Sequence, residues 1–178
     1  MVEPLLHFAV PFVSLRAFGL DLRKVLFASL VALTPDLDVL FQVHRSQSHS
    51  LVLALVVLPL LVLTWNRKGL RSLVLLGAFG LFAHLILDLF QTSTPLLWPI
   101  LNQSIWISVM LNFHMGSAPL ITGGATVKVE PTVIEHFTSF DEPILTAEGI
   151  GLSLVLLAPT LGQILLSRMT HAKNTKQR

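Results

Sequence analysis

Between Leu70 and Phe90 the only ionisable side chains are Arg71, His84 and Asp88. As a helix rising about 1.5 Å per residue, that run is long enough to cross a hydrocarbon layer of about 30 Å. Comparable apolar runs fall at 4–18, 22–34, 49–65 and 149–167. The last two come close to a full crossing; the first two are short, and fit a membrane by tilting, by thinning it or by inserting halfway. Hydrophobic residues make up 53% of the chain and charged ones 12%, which leaves no material for a separate soluble domain. The expected fold is therefore one all-α membrane unit over 1–178, a bundle of about five helices with a small extracytoplasmic loop or β element. The start Met1-Val2-Glu3-Pro4 is not basic and no small-residue cleavage site follows, so the first segment is expected to stay.

The cations orient these segments. Arg16, Arg23 and Lys24 separate the first two, Arg67, Lys68 and Arg71 the third and fourth, and Arg168, Lys173, Lys176 and Arg178 follow the last. All three clusters lie on one side if the N-terminus is outside and the chain crosses five times. The formal charge of +2 is thus accounted for by membrane topology, with no nucleic-acid partner. The connection 91–148 then faces outward, with Lys128 set against Glu130, Glu135, Asp141, Glu142 and Glu148. Within it, 95–113 reads as an interfacial or re-entrant piece, and Gly123–Val133 as a small β element opened by a Gly-Gly turn signal. His114 and His136 belong to this loop, where an exposed histidine is the default. Trp65, Trp98 and Trp106 sit near segment ends, as an interfacial belt would have them. The tail 168–178 is polar and is expected to fray from about residue 170.

Ionisable groups in apolar runs are costly and tend to mark function. Cysteine is absent, so a metal here takes only nitrogen and oxygen ligands. His84 and Asp88 stand four apart and project from one helix face, where they can grip one cation or two neighbouring ones. Without metal the same pair is a buried carboxylate neutralised by an imidazole. Pro35-Asp36-Leu37-Asp38 also reads as one helix ending and another being capped, and Ser48-His49-Ser50 as the cap of the third helix. Each motif alone has that plain explanation. Their convergence at one depth, on the side dictated by the cations and joined there by His7, favours a metal site.

The order His7, Pro35-Asp36-Leu37-Asp38, His44-Arg45-x-x-Ser48-His49-Ser50 and His84-x-x-x-Asp88, followed by Thr92 and Pro95, resembles the YdjM-like membrane-bound metal-dependent hydrolases. The likeness covers roughly the first 100 residues, and the His-Arg-x-x-Ser-His-Ser string is its most specific part. One departure is Ser46, where the family usually has glycine. A fainter similarity runs to zinc-dependent phospholipase C. The resemblance implies a hydrolase of the cytoplasmic membrane, with motif histidines and aspartates as metal ligands, and the fainter one implies phosphoester chemistry.

On that basis His7, Asp36, Asp38, His49, His84 and Asp88 are expected to hold two or more divalent ions, zinc first, with manganese or iron as alternatives. Such ions would lower the pKa of a bridging water from 15.7 towards about 7. Asp38 is assigned to orient that water or take its proton, and Arg45 to hold an anionic phosphoryl oxygen. Ser48 and Ser50 are expected to fix the imidazole of His49, with His44 as a further ligand or support. A centre at headgroup level on the extracytoplasmic face suits membrane lipids as partners and an amphiphilic phosphorylated substrate, such as a phospholipid or isoprenoid phosphate. The rival is a non-catalytic membrane protein with a structural or transported metal. A transport path needs polar residues deep in segments three to five, and apart from Thr64 and Gln163 those interiors are dry.

Overall fold

The computed structural model describes residues 3–43, 47–115, 120–134, 136 and 145–175. Helix α1 (Pro4–Ala17) starts on a proline, whose fixed φ suits a first turn where no N–H partner is needed. It stops at Gly19, whose φ of 76° lets the amides of Gly19 and Leu20 turn back to the carbonyls of Arg16 and Leu15. The Arg16 guanidinium donates to the Leu20 carbonyl at 2.7 Å and fixes this corner. Helix α2 (Leu22–Val31) follows, then a 3-10 helix at Pro35–Phe41 and a 3-10 turn at Gln47–His49. Helices α3 (Val52–Thr64) and α4 (Lys68–Gln91) form the next pair. Strands β1 (Gln103–His114) and β2 (Leu120–Pro131) make an antiparallel hairpin, and α5 (Ala147–Thr175) ends the described chain.

Helix α1 packs against α2, α4 and α5, α2 lies along α4, and α3 packs against α4. Phe12, Leu15, Val25, Ala28 and Leu76 form the buried apolar core. The tightest crossing is at Gly80, where a Cβ would run into the carbonyl of Ala28 and meet the amide of Ala32 at 3.2 Å. Only glycine lets α4 lie this close to α2, and that contact sets the height of His84 and Asp88 against the 3-10 helix after α2. Gly80→Ala is expected to cost about 1–3 kcal/mol by overpacking. A denaturation midpoint in detergent equal to the parent's would show that the two helices do not meet here.

Apolar side chains cover the outside as well as the inside. Helix α3 buries no residue at all. Helices α4 and, from Ala147 to Leu166, α5 are long and apolar enough to cross a membrane. In the core of a water-soluble protein such helices would be mostly buried, yet only 11% of the α5 window is. The shorter apolar helices α1 and α3 fall below the length of a crossing.

Among the described residues five α-helices match the expected number, but the chain is not strictly all-α. The stretch 95–113, read as an interfacial or re-entrant piece, instead enters a strand at Gln103, because the β-branched residues Ile105, Ile107 and Val109 alternate with others and pair with Val129, Val127 and Ala125. Gly123 and Gly124 do not turn. They lie inside β2 opposite Leu111 and Met110, in a register already fixed by the β-branched pairs on the strand-base side. The tail is also more regular than its polarity suggests, since α5 runs on to Thr175.

Candidate metal centre

Four elements bring ionisable groups to one end of the bundle. α1 supplies His7, the Pro35–Phe41 helix Asp36 and Asp38, the turn before α3 His49, and α4 His84 and Asp88. His7, His49, His84 and Asp88 are fully buried, Asp38 nearly so, and the Asp36 side chain is 18% exposed although both its oxygens are buried.

Nδ1–H of His7 donates to the Glu3 carbonyl at 3.1 Å, because a carbonyl can only accept. That leaves Nε2 of a neutral His7 as a bare lone pair, 3.3 Å from Asp88 Oδ1. His49 is fixed in the same sense. Its Nδ1 lies 2.9 Å from Ser48 Oγ, which itself donates to Asp38 Oδ2 at 2.7 Å. With Nδ1–H committed, Nε2 of His49 points at His84 Nε2 (3.1 Å), Asp88 Oδ2 (3.3 Å) and Asp36 Oδ1 (3.5 Å). His84 Nε2 is in turn 3.2 Å from Asp88 Oδ2 and 3.6 Å from Asp36 Oδ1. His7 Nε2 and both oxygens of Asp36 and of Asp88 have no hydrogen-bond partner among the described residues.

Lone pairs converging in a dry interior repel unless a cation or proton sits among them. The spacing favours the cation. Ligands about 2.0–2.1 Å from a tetrahedral ion are separated from one another by about 3.3–3.4 Å. Asp36 Oδ1, His49 Nε2 and His84 Nε2 lie 3.1–3.6 Å from one another, and Asp88 Oδ2 lies 3.3 and 3.2 Å from the two imidazole nitrogens. Two carboxylates also neutralise one divalent ion, which removes the cost of a net buried charge. His7, His84 and Asp88 form a second group of adequate spacing, so Asp88 can serve both through its two oxygens. The buried His/Asp cluster can therefore bind a metal ion. At His49, in the turn ahead of α3, burial pushes the imidazole pKa down, but the neighbouring carboxylates of Asp36, Asp38 and Asp88 reverse this and lift it to about 9, so a proton and a metal ion compete for its Nε2.

Five of the six expected ligands meet in this arrangement. Asp38 contributes an atom to neither group. It stands on the Nδ1 side of His49, 3.4 Å away, and with Ser48 sets the tautomer that bares Nε2. Ser50 turns away from the centre: its hydroxyl donates to the Gln47 carbonyl and accepts from the Val52 amide, opening α3 as a local cap. Asp36 is no cap, as both its oxygens are without hydrogen-bond donors. His44 and Arg45 lie outside the described residues. His114 is on β1 beside Thr122, and His136 is exposed; neither joins the cluster.

Sequence reasoning missed Glu3. Its backbone carbonyl holds His7 while its buried carboxylate accepts from the Thr146 amide at 3.0 and 3.3 Å, at the start of α5. An acidic residue directly before a helix-opening proline, four residues ahead of a histidine, was the available signal.

Among known proteins, the family model described as YdjM inner membrane protein matches residues 3–170. No curated protein and no solved structure matches the chain, and the fainter likeness to zinc-dependent phospholipase C is not confirmed.

Proposed function

Since the chain belongs to the YdjM inner membrane protein family, we propose that it is a membrane-bound, metal-dependent hydrolase acting on a lipid-like phosphoester. The observation that carries this reading is the convergence of Asp36, His49 and His84, and of His7, His84 and Asp88, at spacings that suit a metal ion, with both oxygens of Asp36 and of Asp88 lacking hydrogen-bond partners among the described residues. An N/O donor set of this spacing suits zinc best, with manganese or iron as alternatives.

A divalent ion bound there would supply Lewis acidity and lower the pKa of water. Asp36, His49 and His84 would hold it, with Asp88 shared between these histidines and His7. Ser48 and Asp38 keep His49 from rotating or taking the wrong tautomer. Both oxygens of Asp36 are buried, so Asp36 serves as a ligand, and orienting a water or taking its proton stays with Asp38. Arg45 binds an anionic phosphoryl oxygen, being always charged and unable to act as a ligand. The site end faces the extracytoplasmic side, which collects the cationic connections on the other.

Support for an amphiphilic substrate comes from two apolar hollows between α3 and α4, of about 250 and 260 Å³. They share Val57, Ala78 and Leu81, and the first begins at Ser50 and Leu85, the chain neighbours of His49 and His84. A phosphoryl head at the centre would thus lead its hydrocarbon chain into a continuous trough. The full burial of three histidines favours a second reading, a structural metal that never meets substrate.

The deciding experiment is a metal assay with a phosphoesterase screen on detergent-purified protein, using matched long-chain and short-chain phosphoesters. Metal-dependent turnover, faster for the long-chain series, is expected. Arg45→Ala should keep metal and thermal midpoint while lowering turnover about 100-fold, as loss of one charge-stabilising donor does. Metal-loaded protein that hydrolyses none of these esters would leave the structural reading standing.

A further inference from the structure

The hairpin has two chemically distinct faces. Alternate residues of a strand point to opposite sides, and the register puts Ile105 beside Val129, Ile107 beside Val127 and Phe113 beside Ile121 on one of them. Trp106 beside Lys128, Ser108 beside Thr126 and Asn112 beside Thr122 occupy the other, with Met110 and Leu120 its apolar members. The apolar face is open, since Val109, Leu111, Phe113, Ile121, Val127 and Val129 are each more than half exposed. Twelve residues at about 3.3 Å each make it about 40 Å long. A two-stranded ribbon is marginal in water by itself, so a face like this needs a cover.

We propose that the cover is the lipid bilayer, and that the hairpin lies flat in the headgroup layer with this face against the acyl chains. Three observations favour lipid over protein. The base of β1 is tied to the exit of α4, a helix long enough to cross the membrane, through paired backbone bonds of 2.9 Å between Thr94 and Ile105. The apolar face is therefore continuous with the end of a membrane span. Trp106 and Lys128 stand together near that base on the polar face, the ammonium 4.5 Å from the ring, and an indole and a cation are the side chains that settle at headgroup level. Finally, both outer edges of a two-stranded sheet leave backbone groups unpaired, which excludes insertion into hydrocarbon but not residence in the hydrated interface.

The chain has no cysteine, so single-site labelling needs no background substitutions. Leu111→Cys and Asn112→Cys, carrying a nitroxide, would be placed one per disc in phosphatidylcholine/phosphatidylglycerol nanodiscs. The label at 111 should be relaxed by oxygen and shielded from aqueous nickel chelate, and the label at 112 should show the reverse. Equal exposure of both to the chelate would overturn the proposal. So would shielding of 111 that appears only with two copies per disc and brings dipolar broadening between labels, because the cover would then be a second copy of the chain.

Discussion

Asp88→Ala is expected to abolish metal retention and any metal-dependent turnover together. Its carboxylate faces all three histidines: one oxygen lies 3.3 Å from His7, the other 3.3 Å from His49 and 3.2 Å from His84. Losing a mere hydrogen-bond partner of a ligand costs about 10–100-fold in metal affinity, and removing a shared ligand should exceed that. Asp88→Asn makes a sharper comparison. It keeps the volume but replaces one lone-pair oxygen by an NH₂ group and removes the charge that balances a cation. Elemental analysis of both purified variants decides the matter, and parental stoichiometry in either would remove Asp88 from the centre.

Stripping the metal should loosen the whole site end of the bundle. The groups come from α1, the 3-10 helix after α2, the turn before α3, and α4, so an ion bound among them joins four elements that otherwise meet through few contacts. A ligand present at about 1,000 times its dissociation constant stabilises the folded state by about 4 kcal/mol. For a chain of this size that corresponds to a fall of about 10 °C in thermal midpoint on chelation. Complete metal removal with an unmoved midpoint would show that the ion does not bridge these elements.

Much of this centre was legible because apolar runs tolerate so few ionisable residues. His84 and Asp88 had to share a helix face, and the cation clusters alone sent Asp36, His49 and His7 to the same end. Which atoms meet was not legible. Asp36 and Asp38 have the same chemistry, and only the path of a 3-10 helix decides that the first reaches the cluster while the second stands behind His49. Most helix bounds followed from hydrophobic length, whereas β1 did not: a run such as Ile105–Phe113 is apolar enough for either state, and pairing with the next strand of the hairpin settles the choice. The Gly123-Gly124 pair misled for the same reason, since cross-strand pairing overrode a local turn preference.

Glu3 gives the order of synthesis a meaning. One residue grips the first ligand through its main chain and the start of α5 through its side chain. A ribosome makes His7 well before Thr146. The support under that histidine is thus finished only when α5 has arrived and docked, so a chain still lacking α5 lacks the setting in which this donor is held. The segment with no role in the chemistry is the one that declares the centre complete.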